Sequence, residues 1–346
     1  MNKKKAKNLI NSLFAKTGVA SLTSRFVTPR GYARILLYHR VNDLVLKESS
    51  ISDRLTVTAD NFRRHMKYVA ANFNAMSLPE FVASARTKSE IANRAVIVTF
   101  DDGYLDNYRF AFPILKEFNI PATIFLATDY IGSNRCLWWD VLEELVLDPG
   151  IELKKLDLLE FKNEGINFAK EDRVTIFWKM YWYLKSVEPS QREEIMTRIF
   201  QASERTSETQ CLSARRMLAW DQILEMSQHG ITFGAHTRSH VVLSKVPLSS
   251  AKTEIVNSKN EIERETGTAV TSFAYPNGGL DTFNEDIIDI LKKAGYTCAV
   301  TTVKGFASPK DDLFRLKRYN IDGEDSFSTF QCKLTGVYEL PGLKSI

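Results

Sequence analysis

The chain is short of several features that would fix its class at once. It has four cysteines, Cys136, Cys211, Cys298 and Cys332, and no two form a Cys-x-x-Cys pair. That excludes a cysteine zinc cluster or a dithiol redox motif. Scattered single cysteines suit a reducing compartment. No stretch approaches the roughly 18 apolar residues of a membrane-spanning helix. The N-terminus is basic, but Asn11, Lys16 and Thr17 interrupt the segment that follows, so no apolar core of a secretory signal forms. The expected location is therefore cytoplasmic. The formal net charge of +4 is too small to point to nucleic acid, and the basic residues are not clustered beyond the N-terminus. There is no internal repeat and no low-complexity stretch.

What is present is ordinary globular material: 346 residues, 44% hydrophobic and 25% charged. That is enough for one large α/β domain with an insertion. Residues 3–26 mix Lys and Arg with Leu9, Ile10, Leu13, Phe14 and Leu22. The pattern fits a basic amphipathic helix resting on a membrane, at its inner face, or a solvated terminal helix. The domain itself is expected over 34–330, after a basic segment 1–33 and before a tail 331–346.

Residues 34–41 and 94–100 read as buried strands, and 122–127, 231–235, 272–275, 297–302 and 315–321 as further ones. Helical spacing falls between them, at 58–72, 105–118, 220–228, 249–266 and 283–294. The alternation predicts a parallel α/β arrangement, a barrel or an open sheet. Between 131 and 215 the rhythm breaks. This stretch holds four of the five tryptophans, Trp138, Trp139, Trp178 and Trp182, and reads as a mainly helical insertion. Its tryptophans are core residues or a wall of a substrate groove.

Three polar clusters fall where strands should end, the place where parallel α/β folds build their sites. The first is Thr99-Phe100-Asp101-Asp102-Gly103-Tyr104. Adjacent carboxylates repel unless something positive neutralises them, and a cation does so while leaving one free as a base; helix capping and a glycine turn would also account for the pair. The second is His236-Thr237-Arg238-Ser239-His240, whose two histidines can converge on one cation if the loop takes a helical turn. The third, Ser272 to Gly279, ends a strand in Pro-Asn-Gly-Gly, a turn whose backbone N–H groups can hold an oxyanion.

In this order the clusters resemble the polysaccharide deacetylase family, the NodB-homology domain or carbohydrate esterase family 4, over roughly 34–130 and 216–322. The resemblance implies a distorted (β/α) barrel of about seven parallel strands. It implies Asp101 as catalytic base, Asp102, His236 and His240 as ligands of one divalent metal, zinc first with cobalt, nickel or iron as alternatives, and a substrate-binding or oxyanion role around Tyr275 and Asn277. Two departures stand out. The family's arginine that orients the base is replaced here by Ala274, and Arg318 is the candidate to supply the charge. The late Leu-x-His element is absent, but Leu37-Tyr38-His39 resembles the permuted branch in which that element moves to the N-terminal side. His39 is then the general acid.

The implied activity is removal of an N-acetyl group from an amino sugar in a polysaccharide or a lipid-linked glycan. Deformylation or O-deacetylation would use the same site, and a glycan-binding protein that kept the fold without catalysis is the alternative of a different class. His65 and His229 are given no role.

Overall fold

Continuous apolar runs make the strands, as expected of strands covered on both faces. A computed structural model describes residues 31–43, 51–204 and 216–336. The amphipathic segment expected over 3–26 lies outside them. Among the described residues there are ten strands: β1 Ala33–Tyr38, β2 Arg40–Val41, β3 Thr56–Val57, β4 Asn74–Ala75, β5 Ala95–Phe100, β6 Ala122–Leu126, β7 Ile231–Ala235, β8 Ser272–Ala274, β9 Cys298–Val300 and β10 Tyr319–Asn320. Every residue of β1, β5 and β6 is buried.

Seven strands run parallel in the order β10-β1-β5-β6-β7-β8-β9, with β4 added beside β5. The ends of this order meet through one segment. Leu316 forms a parallel bridge with Val300, and a few residues later Tyr319 and Asn320 pair with Leu36 and Leu37 of β1. The strand expected over 315–321 thus leans first on β9 and then on β1, and it closes the distorted barrel. Helices cover the outside, among them Ala59–Asn72, Trp220–Ser227, Leu248–Thr266 and Glu285–Lys293.

Two boundaries differ from expectation. The strand read over 34–41 is interrupted at His39, between β1 and β2. The tail expected from 331 begins inside the helix Phe327–Thr335, whose Phe330, Cys332 and Leu334 are buried. Arg34 of β1 explains why this helix is held. Its guanidinium donates to the Leu334 carbonyl and sits over the Phe73 and Phe306 rings.

The same corner buries His65. Its ring stacks on Phe330 at 3.8 Å between centroids, and its Nδ1 lies 3.2 Å from the Tyr38 hydroxyl. Burial, aided by Arg64 and Lys333, lowers its pKa from 6.5 to about 3. The unfolded chain therefore takes up a proton below pH 6.5 that the folded chain refuses until about pH 3. Stability should fall with acid through that window, each pH unit being worth about 1.4 kcal/mol. His65→Gln, compared with wild type by thermal melts across the window, should flatten the slope even if it lowers stability at pH 8. An unchanged slope would remove His65 as its cause.

Candidate active site and its relatives

The site lies at the carboxyl ends of the strands. β5 ends at Phe100, and the next residue, Asp101, has its backbone N–H bonded to the Tyr38 carbonyl at 3.0 Å. Asp102 and Gly103 then both turn left-handed, with φ of 76° and 85°. A Cβ on Gly103 would meet Ile131 and Leu126 side chains at 2.9 Å, so the glycine is required both by conformation and by space. This turn separates the two carboxylates and sends them to different partners.

Asp101 meets Arg318. The guanidinium donates to both carboxylate oxygens, at 2.8 and 2.7 Å, and its Nε donates to the Thr301 carbonyl at 2.8 Å. Arg318 is fully buried. It sits next to β10, in the segment that closes the barrel. Burial alone would raise the Asp101 pKa, but the Arg318 charge and its paired hydrogen bonds outweigh it and hold the carboxyl below its usual range. The arginine missing at Ala274 is thus replaced in space from another strand end. Ala274 instead uses its carbonyl, which accepts from His236 Nδ1–H at 2.7 Å.

Asp102 meets the two histidines. Its Oδ1 lies 3.5 Å from His236 Nε2 and 3.3 Å from His240 Nε2. That oxygen is buried and makes no hydrogen bond, an expensive condition for a carboxylate unless a cation satisfies it. One potential ligand atom from each of the three residues lies within 4.8 Å of the others. Burial lowers the His236 pKa, but Asp102 and Asp101 outweigh it and raise it; at His240 burial prevails and lowers it. The bond to Ala274 leaves Nε2 of neutral His236 as a lone pair aimed at the site. A carboxylate and two imidazoles form a donor set suited to a divalent transition metal with positions left open.

The histidines converge through a bend in the loop that joins them, without a helical turn. Thr237 and His240 are left-handed, at φ 62° and 57°. The Glu254 carboxylate holds the bend, accepting from the Arg238 and Ser239 backbone N–H groups at 2.7 and 3.0 Å.

The third cluster divides. Asn277 borders the site, in a left-handed turn at φ 62°, and its carbonyl accepts from Thr302 Oγ1 at 2.7 Å. Its backbone N–H makes no hydrogen bond among the described residues. Tyr275 does not border the site. Its ring stacks on Phe283 at 3.8 Å and its hydroxyl donates to the Phe314 carbonyl at 3.0 Å. Successive strand residues point to opposite faces, and Tyr275 points into the core, so its expected substrate-binding role is withdrawn.

These groups share a cavity of about 310 Å³. One side is made by His39, Asp101, Asp102, His236, His240 and Asn277. The other comes from the insertion, through Trp138, Trp139, Tyr181, Lys185 and Arg192. Trp139 packs edge-on against His240 at 4.7 Å, and Trp138 stacks on Tyr181 at 5.3 Å. Two of the tryptophans are therefore cavity wall. Trp178 and Trp182 do not line the cavity; they stack on each other, with Trp182 exposed. Nothing in local spacing links these wall residues to the motifs, and the dense aromatics of 131–215 were their one signal.

The chain's likeness to known proteins agrees with this geometry. The family model described as polysaccharide deacetylase matches residues 88–155 and 188–299, more than half of the chain. The chain belongs to the polysaccharide deacetylase family. The Bacillus subtilis protein YxkH is 23% identical over 297 residues, covering 86% of this chain and 74% of that protein. The poly-β-1,6-N-acetyl-D-glucosamine N-deacetylase of Staphylococcus epidermidis is 27% identical over 211 residues, 58% of this chain and 71% of that enzyme. Among solved structures, the Streptococcus pyogenes deacetylase PplD, in complex with acetate, superposes with a TM-score of 0.59 at 20% identity, over 88% of this chain and 99% of that one. At that identity the likeness is one of fold.

Among the described residues no helix is long and apolar enough to cross a membrane. Cys136 is disulfide-bonded, whereas Cys298 and Cys332 are free and buried. The cysteines are thus not all the single thiols that suggested a reducing compartment, because pairing depends on distance in the fold and not on spacing in the chain.

Proposed function

We propose that this deacetylase-family chain removes N-acetyl groups from an amino-sugar polysaccharide or a lipid-linked glycan, with one divalent metal held by Asp102, His236 and His240. The observation that carries the metal is the buried Asp102 Oδ1, which has no hydrogen bond and faces two imidazole nitrogens. Zinc suits this donor set, and cobalt, nickel or iron would also fit. Bound there, such a cation supplies Lewis acidity to the acyl oxygen and acidifies an attacking water.

The chain's own groups do the rest. Asp101, kept ionised by Arg318, takes the proton from the water as it attacks the acyl carbon. The free Asn277 N–H donates to the acyl oxygen as negative charge gathers on it. His39, at the end of β1, gives a proton to the leaving nitrogen, without which an amide releases a poor leaving group. Trp138, Trp139 and Tyr181 offer flat apolar faces to a sugar ring. The arginine paired with Asp101 supports catalysis over a glycan binder without it, because the base keeps its counter-charge although Ala274 stands where the family has its arginine. The relatives named for poly-β-1,6-N-acetyl-D-glucosamine support that polymer as the first substrate to try. The Cys136 disulfide supports an oxidising compartment in place of the cytoplasmic one expected.

Metal content tests the site without a substrate. Wild type should hold close to one divalent ion per chain by elemental mass spectrometry, and His240→Ala should lose it. Equal content in the two proteins, or none in either after soaking with zinc, would remove the metal site. His39→Ala should keep the metal and release acetate roughly a hundredfold more slowly. Wild-type rates in that variant would take His39 out of the reaction.

A further inference from the structure

The part of the cavity wall that the inserted helices supply carries two cations that the reaction above does not use. Lys185 lies near the end of the helix Arg173–Ser186, and Arg192 lies in the first turn of the helix Pro189–Ala202. Both border the cavity with Asp101 and Asp102, and both are half-buried. Neither forms an ion pair within the described residues. Arg192 lies over the Trp138 ring at 5.1 Å, and Lys185 over the Tyr181 ring at 5.5 Å. Lys185 Nζ makes only a long contact, 3.4 Å, with the Tyr181 hydroxyl. The acidic groups that act on them, Glu193 on Arg192 and Asp281 on Lys185, stand beyond ion-pair distance.

The rest of the cavity does not balance these charges. Asp101 is already neutralised by Arg318, and a divalent ion would more than neutralise Asp102. A third cation stands behind the wall: Lys245 Nζ donates to the Lys185 and Ser186 carbonyls, each at 3.0 Å, and so caps the end of that helix. A neutral sugar needs none of this. Unpaired cations beside aromatic faces in a recessed site concentrate anions and steer them inward. The segments that the polysaccharide deacetylase model matches leave out residues 156–187, which contain Tyr181 and Lys185, so part of this wall lies outside the family's matched segments.

We propose that the substrate is an anionic glycan: an N-acetyl amino sugar carrying, on itself or on its neighbour, a phosphate or carboxylate that Lys185 and Arg192 bind while the acetamido group reaches the metal site. This rests on the deacetylase reading for the reaction but not for the binding. The carboxylate and the phosphate share the same recognition chemistry, so both are offered in the test.

The metal-loaded protein would be given three substrates: neutral β-1,6-linked N-acetylglucosamine oligomers, oligosaccharides alternating N-acetylglucosamine with glucuronate, and N-acetylglucosamine linked to a diphosphate. Acetate release gives kcat/KM for each. At least one anionic substrate should be preferred by roughly tenfold or more at low salt. That preference should shrink as salt rises, and it should collapse in Lys185→Gln/Arg192→Gln through a higher KM. The larger of the two anionic responses identifies phosphate or carboxylate. Equal rates on neutral and anionic substrates, or a preference that survives in a double variant that melts like wild type, would overturn the proposal. Should no substrate release acetate, quenching of tryptophan fluorescence in Asp101→Asn protein separates the two readings. Saturable, salt-sensitive quenching by the glucuronate oligosaccharide or by N-acetylglucosamine diphosphate, lost when the two substitutions are added, keeps the anion site and sinks the deacetylation. No quenching by either anionic ligand overturns the anion site as well.

Discussion

Asp101→Asn should lower acetate release by between about a hundredfold and ten-thousandfold, the usual worth of a general base, while the metal stays bound. An amide has the shape of the carboxylate but no affinity for the water's proton. Its oxygen can still accept one hydrogen bond from Arg318, whose other bond is left facing an NH₂ group. Some stability is lost with it, since a buried guanidinium loses its counter-charge. Asp102, His236 and His240 are untouched, so elemental analysis should give the wild-type metal content. Turnover near the wild-type rate would exclude Asp101 as the base. Loss of the metal would show instead that Asp101 belongs to its ligand set.

Arg318→Leu should do more damage to the protein than any other single change at the site. It strands the Asp101 carboxylate in a place where that residue is only 2% exposed. Removing one partner of a buried pair costs about 3–5 kcal/mol, which a thermal or urea melt will register. The chemistry should change in a direction that the sign of the pKa shift sets. In the wild type the Asp101 carboxyl is held below its usual range, so the base is ionised throughout neutral and mildly acidic solution. Its contribution to stability is present above the ordinary carboxylate value and is lost only as pH falls through the lower folded value. Without Arg318, the largest influence opposing burial is gone, only the His236 and His39 charges still counter it, and the pKa rises. The acidic limb of kcat/KM should then move to higher pH, and activity at neutral pH should fall further than at alkaline pH. Arg318→Lys, which keeps a charge but not the two-pronged contact, should fall between. A Leu variant with the wild-type acidic limb would mean that Arg318 does not tune the base.

Much of this site is written locally. Asp101-Asp102-Gly103 needs a glycine because the turn after β5 is left-handed and leaves no space for a Cβ. His236 and His240 are four apart because a bend, braced by Glu254, folds one back beside the other. Such patterns are visible in a chain because their cause is local. Where the reading failed, the cause was direction or distance. Tyr275 sits in the right cluster, yet strand alternation turns it into the core against Phe283.

The sequence by itself determined the alternation of strands and helices, the two carboxylates and two histidines at strand ends, and through them the family. Each of these follows from side chains a few residues apart on one element. The tertiary structure decided which distant groups complete them. Closure of the barrel carries Arg318 across 217 positions to Asp101, and the inserted helices bring Trp138, Tyr181, Lys185 and Arg192 into one cavity with Asp102, His236 and His240. Those contacts depend on how whole elements pack, and burial and charge pairing favour them without any fixed spacing in the chain.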